Sequence, residues 1–188
     1  MNLFILRHAS AGSIRTNPIL DLKRPLDKDG KKHCLQLAHV LNAQRFTFDL
    51  VVSSPLKRAL QTAQLVATET GYENQILLSD ALKPEATLDA FLRLLHVHRE
   101  GENVLVVGHN PNLQGFLGAL LVGRPASPSE KNAAAESYTA GVRLRKGSLA
   151  RLSMSRGPAM LQSLLDPRTV RSLYATSTKS SRRKTSRK

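Results

Sequence analysis

The succession of apolar segments in this 188-residue chain predicts an α/β domain, a three-layer α/β/α sandwich around a largely parallel, mixed sheet. Three observations predict it. Short apolar runs rich in β-branched residues alternate with segments whose apolar residues recur at i, i+3, i+4 and i+7. The hydrophobic content of 41% is enough for a real core, while aromatics at 4% and the absence of Trp require that core to be aliphatic. The length suits one domain rather than two, with residues 1–174 as the folded unit and 175–188 as a basic tail.

The first run, Leu3 to Leu6, reads as a buried strand and ends abruptly in Arg7-His8. A polar loop from Ala9 to Leu22 follows, with Gly12 and Pro18 expected to break regular structure. Arg24-Pro25-Leu26 leads through Gly30 into a helix whose buried face is Cys34, Leu37, Ala38 and Leu41. His33 and His39 are six apart on that helix, on different faces, and make no metal pair. A second strand, Phe48 to Val52, runs into Ser53-Ser54-Pro55, where Ser54 reads as an N-cap and Pro55 as the first helical residue. The helix beyond carries Arg58 in its first turn, buries Ala59, Ala63, Val66 and Ala67, and ends at Gly71.

Gln75 to Leu78 is a short third strand, and Leu88, Phe91, Leu92 and Leu95 mark a helix over Thr87 to Val97. Asn103 to Val107 is the clearest strand in the chain, and it delivers Gly108-His109-Asn110-Pro111, in which Asn-Pro repeats the cap pattern of Ser54-Pro55. Leu113, Phe116, Leu117 and Leu120 define the next helix. Gly123 to Ser137 reads as a long surface connection, Ala140 to Leu144 and Ser148 to Met154 as a hairpin, and Ala159 to Leu173 as an amphipathic segment interrupted at Pro167.

The net charge is +14 and the pI about 10.6, which points to anionic partners. Six of the 28 basic residues (Lys179, Arg182, Arg183, Lys184, Arg187 and Lys188) lie in the last ten positions with no acidic residue, a composition expected to be disordered and to bind polyanions weakly. The remaining 22 still exceed the 14 acidic residues, so the folded part is basic in its own right. Cys34 is the single cysteine, which excludes an intramolecular disulfide, and it reads as an inert core thiol. The N-terminal apolar run is too short for a signal peptide and no run reaches bilayer length, so a cytoplasmic protein without membrane contact is expected.

In a sheet of this kind ligands bind beyond the carboxyl ends of the strands. Arg7, His8, Arg58 and His109 all fall at such ends although scores of residues separate them. Two guanidinium forks and two helix starts suit a dianionic phosphoryl group. There is no acidic cluster at strand ends to hold magnesium and no Gly-x-x-x-x-Gly-Lys loop, which argues against a nucleoside triphosphatase. A neutral imidazole at His8 would be a competent nucleophile toward phosphorus, with His109 as a donor to a phosphoryl oxygen.

Leu6-Arg7-His8-Ala9, Ser53-Ser54-Pro55 with Arg58-Ala59-Leu60-Gln61-Thr62-Ala63, and Gly108-His109-Asn110-Pro111 resemble the motifs of the histidine phosphatase superfamily, the phosphoglycerate mutase-like fold. The short chain and Arg24-Pro25-Leu26 followed by Gly30 resemble its SixA-type phosphohistidine phosphatases. The resemblance implies a phosphohistidine intermediate on His8, phosphate held by Arg7, Arg58 and His109 with Asn110 alongside, and no metal or other cofactor. It puts Arg24 either near the pocket or in the role of fixing its loop.

Larger relatives carry an acidic residue after the third strand to protonate an alkoxide leaving group. The only nearby candidate here is Glu85, which reads better as a solvated carboxylate at a helix start. That departure favours a phosphohistidine of a histidine phosphotransfer protein as substrate, in a signalling phosphorelay. The alternatives are a broad small-molecule phosphomonoesterase using the same site, or a basic polyanion-binding protein with a vestigial pocket.

Overall fold

The computed structural model describes residues 1–14, 16–123 and 141–185. Its elements are β1 (Asn2–Arg7), α1 (Pro18–Leu22), α2 (Lys28–Ala43), β2 (Leu50–Ser53), α3 (Lys57–Glu69), β3 (Leu77–Leu78), α4 (Leu88–Val97), β4 (Asn103–Gly108), α5 (Asn112–Val122), β5 (Leu149–Ser153), β6 (Met160–Leu165) and α6 (Pro167–Thr185). The six strands form one sheet in the order β3-β2-β4-β1-β5-β6. The first four in that order run parallel, and β5 pairs antiparallel to both β1 and β6. The expected α/β sandwich with a largely parallel, mixed sheet is the observed architecture.

Alternation along the central strands divides the core in two. Leu3, Ile5, Val104 and Val106 pack on one face with Leu88, Phe91, Leu113 and Phe116 of α4 and α5. Phe4, Leu6, Leu105 and Val107 pack on the other with Leu37, Leu41, Ala63 and Val66 of α2 and α3 and Val170 of α6. Both faces of β1 and β4 are therefore apolar, which is why these strands read as unbroken apolar runs. Cys34 lies wholly buried in the second layer, where desolvation pushes its thiol up to about 12, as suits an inert core group.

Five local readings differ from the structure. The loop expected between Ala9 and Leu22 contains α1, which Asn17 caps by accepting from the Ile19 amide while Pro18 begins the helix. The strand expected over Gln75 to Leu78 shrinks to Leu77–Leu78, at the outer edge of the sheet. The Ser54 and Asn110 side chains are not the helix caps: α3 begins at Lys57 and α5 at Asn112, without side-chain cap bonds.

The hairpin lies further along than expected, between β5 and β6, so Met160–Leu165 is a strand rather than part of an amphipathic helix. Apolar residues at Met160, Leu161, Leu164 and Leu165 imitate a helical stripe, but pairing with β5 across a bulge at Arg151/Leu152 fixes them in the sheet. The backbone of α6 continues through the expected boundary at residue 174 to Thr185, and the helix packs on α2, where His39 Nε2 meets the Ser177 hydroxyl at 2.8 Å. The expected surface connection from Gly123 to Ser137 falls, beyond Gly123, outside the described residues, as do residues 186–188 of the tail.

One close approach anchors the loop after β1. Ser10 donates its hydroxyl to Asp27 Oδ2 at 2.7 Å, and Asp27 caps α2 by accepting from the Gly30 amide at 2.7 Å. A Cβ on Gly30 would collide with the Ser10 carbonyl, so only glycine lets the loop lie against the helix start. Gly30→Ala is expected to lose about 1–3 kcal/mol of stability in urea denaturation; a midpoint equal to that of the wild type would contradict this packing.

Candidate active site

The sheet register creates the site. Arg7 lies opposite Gly108 and Ser53 opposite Val107, so the three adjacent strands β2, β4 and β1 end at one level. The residues that follow, Ser54, His109 and His8, emerge side by side. Their backbones are cross-tied: the His8 amide donates to the Gly108 carbonyl at 3.0 Å and the Ser54 amide to the Val107 carbonyl at 2.9 Å. Thr62 locks α3 to the end of β1, because its hydroxyl donates to the Arg58 carbonyl at 2.7 Å and accepts from the Ala9 amide at 3.1 Å.

His8 and His109 are both buried, with ring centroids 4.9 Å apart. His8 Nδ1 lies 2.8 Å from the Ala9 carbonyl, which can only accept, so Nδ1 carries the proton and Nε2 keeps its lone pair in the neutral ring. Burial, reinforced by the charges of Arg58, Arg7 and Lys146 and opposed by the Ala9 carbonyl, brings the His8 pKa down to about 3. Burial together with His8, Arg58, Arg7 and Arg24 brings that of His109 to about 2. His109 Nε2 lies 3.0 Å from the Ser54 hydroxyl, and its buried Nδ1 has no partner.

The charges of Arg58 and Arg7 are felt at both histidines. Arg7 Nη1 donates to the Leu144 carbonyl at 2.9 Å, and Arg58 Nη1 donates to the Asp21 carbonyl at 3.1 Å and to Asp21 Oδ2 at 3.3 Å. Nε of Arg7 and Nε of Arg58 are buried without partners. Arg24, expected either near the pocket or fixing its loop, donates Nη1 to the Gly12 carbonyl at 2.7 Å, and its charge is felt at Arg58 and His109. Its Nε pairs with Asp21 Oδ1 at 2.8 Å.

Asn110 stands beside Arg7, donating to the same Leu144 carbonyl at 2.9 Å. Glu85 is elsewhere, in a cleft of about 430 Å³ with Leu22, Lys23, Pro55, Leu56, Lys57 and Lys83. Among the described residues it makes no hydrogen bond or ion pair with the histidines or arginines of the site.

Sequence reasoning did not find Asp21, whose carboxylate meets both Arg24 and Arg58. It lies in the segment read as loop, and nothing in its neighbours distinguishes it. The segment 141–148 was also misread, for a physical reason. Its polar groups serve the site instead of a strand partner: the Leu144 carbonyl takes Arg7 and Asn110, and the Gly147 amide donates to the Arg7 and His8 carbonyls, both at 3.1 Å. Gly147 has φ +81°, and a Cβ there would strike the His33 ring, whose Nε2 meets the Gly147 carbonyl at 2.8 Å.

Residues 3–83 match the family model of the histidine phosphatase superfamily (branch 1). An uncharacterised protein of Picosynechococcus sp. is 32% identical over 127 residues, 66% of this chain and 75% of the relative. This chain belongs to the histidine phosphatase superfamily. Its fold is similar to that of other histidine phosphatase structures. The putative phosphohistidine phosphatase SixA from Agrobacterium tumefaciens superposes with a TM-score of 0.69 at 25% identity, over 88% of this chain and 97% of that one. A protein histidine phosphatase SixA complexed with tungstate gives 0.69 at 23%, over 89% and 97%. The α-ribazole phosphatase from Shigella flexneri gives 0.66 at 20%, over 89% and 97%. The superfamily match supports phosphatase activity for this histidine phosphatase chain.

The depressed histidines leave a signature in stability. Below the ordinary histidine value of 6.5 the unfolded chain binds a proton at His8 that the folded chain refuses until about pH 3. The folded state is therefore favoured in full above pH 6.5, and stability falls as pH drops, by up to about 1.4 kcal/mol per pH unit for each such histidine. Urea denaturation between pH 7 and 5 is expected to show a shallower fall in His8→Gln than in the wild type; equal slopes would contradict a buried neutral His8.

Proposed function

We propose that this chain is a metal-independent phosphohistidine phosphatase, acting on a phosphorylated histidine of a phosphotransfer protein through a phosphohistidine intermediate on His8. The single observation that carries the reading is a buried His8 with its free lone pair on Nε2, the His109 ring 4.9 Å from its own, and the charges of Arg58 and Arg7, each with a buried Nε lacking a partner, acting on it. A phosphoryl group among them would satisfy the buried nitrogens and receive positive charge from both guanidiniums.

In the first step the Nε2 lone pair attacks phosphorus and the P–N bond of the substrate breaks, its electrons returning to the departing ring. When the second nitrogen of that ring is protonated, the leaving group is a neutral imidazole and needs no general acid. Arg7, Arg58 and Arg24 balance the charge on the equatorial oxygens. Ser54 accepts from the Leu56 amide at 3.3 Å, so its own proton is available for His109 Nε2. His109 then carries its proton on Nδ1 and can donate it to a phosphoryl oxygen. In the second step water attacks the phosphorus on His8, the new P–N bond breaks, and inorganic phosphate leaves with His8 restored. Nucleophile and charge stabilisation both come from side chains, so the cycle requires no metal ion.

Among the described residues no hydrogen bond or ion pair joins Glu85 to the histidines and arginines of the site, which supports a leaving group that needs little help. The bond network does not reach Glu85, while its cleft includes Pro55 and Leu56 at the start of the Arg58 turn, which favours a second reading as a broad phosphomonoesterase. A phosphorylated histidine-containing domain and small phosphate esters separate the two. The first reading expects the domain to be the better substrate, with Glu85→Gln leaving its turnover within about twofold. A clear preference for esters, slowed roughly tenfold or more by Glu85→Gln, would overturn it in favour of the second.

A further inference from the structure

Beside the catalytic cluster lies an open groove of about 630 Å³ whose wall includes Arg7, Arg143, Arg145, Lys146, Arg168 and Arg171. Six cations meet there, and among the described residues only Arg145 is ion-paired, with Asp166 at 3.0 Å. Asp166 is already committed as the cap of α6, accepting from the Arg168 amide at 2.7 Å and the Thr169 amide at 3.4 Å. The floor is fixed by the Leu144 carbonyl, which takes both Arg7 and Asn110, and by Gln114, which accepts from the Leu144 amide at 3.2 Å.

The groove is continuous with the site. Arg7 belongs to both, and the charge of Lys146 acts on His8. The phosphate cluster accounts for Arg7 alone of the six. Arg143, Lys146, Arg168 and Arg171 are exposed, spread along the loop after α5 and the first two turns of α6. An enclosed small anion would be gripped by two or three converging donors. Long exposed cations along an open wall instead match an extended anionic surface in contact over several residues.

We propose that this groove is the docking site for an acidic face of the protein substrate, Asp and Glu side chains flanking the phosphorylated histidine. The proposal rests on the phosphohistidine reading above and adds where the substrate is recognised. With the phosphoryl group at His8, Arg7 marks the entrance, and carboxylates on the substrate run along Arg143, Lys146, Arg168 and Arg171. Attraction at this distance raises the encounter rate and falls with salt.

Two synthetic peptides carrying phosphohistidine, one flanked by glutamates and one by glutamines, test both layers. Wild-type protein is expected to turn over the acidic peptide with kcat/KM about tenfold higher at low ionic strength, an advantage that salt removes. The double variant R168E/R171E is expected to erase the advantage through KM, with turnover of the glutamine peptide held within about twofold. Equal kcat/KM for the two peptides with wild-type protein, or an advantage unaltered in the variant, overturns the groove assignment and leaves phosphohistidine hydrolysis standing. Turnover of neither peptide overturns the reading beneath it. Stronger inhibition by an oligothymidylate than by an acidic peptide of matched charge also overturns the assignment, in favour of nucleic acid.

Discussion

The constraint on which the structure depends is a shortage of negative charge at the ends of three strands. Arg24 and Arg58 are both buried, and among the described residues the one carboxylate they meet is shared between them, Asp21. Arg7 has a carbonyl in place of a carboxylate, and each of the three has a neighbouring histidine forced into its neutral form. Buried cations without full compensation are costly, and the cost is reduced by whatever anion enters. Burial above all, and then the charges of Arg58 and Arg7, keep His8 unprotonated, and in the proposed mechanism the same guanidiniums receive the phosphoryl group.

The scaffold keeps these charges together by ties between elements distant in sequence. Thr62 couples the turn that carries Arg58 to the end of β1 that carries His8. The loop holding Arg24 and Asp21 is seated on α2 through Ser10, Asp27 and the bare backbone of Gly30, and the Leu26 amide donates to Gln61 of α3 at 2.8 Å. On the opposite side Gly147 ties the segment 141–148 to the backbone at Arg7 and His8. Three loops from different parts of the chain are thereby pinned around the same sheet edge.

The sequence made this legible where the physics is local and periodic. Buried parallel strands such as Leu3 to Leu6 and Asn103 to Val107 announce themselves as apolar runs, and the polar residues that end them must lie at the sheet edge. Hence the sequence alone places Arg7, His8, Arg58 and His109 at strand ends on that edge. What was illegible depends on partners remote in the chain. Asp21 joins the site through Arg58, thirty-seven positions away, and Leu144 because its carbonyl meets Arg7. The strand Met160–Leu165 was concealed by an apolar spacing that suits a helix equally well, and only the neighbouring β5 decides between them. The Ser54 cap reading failed for a related reason: its hydroxyl is engaged with His109, a residue delivered by another strand.

The direct test of the central claim is where phosphate sits during turnover. Rapid acid-free quenching of the protein with excess phosphohistidine substrate, followed by mapping of the labelled peptide, is predicted to find acid-labile, base-stable phosphate on Nε2 of His8. It should vanish in His8→Ala and persist in His109→Ala with slowed formation. Acid-stable phosphate on Ser53 or Ser54, or undiminished turnover by His8→Ala, would contradict the account.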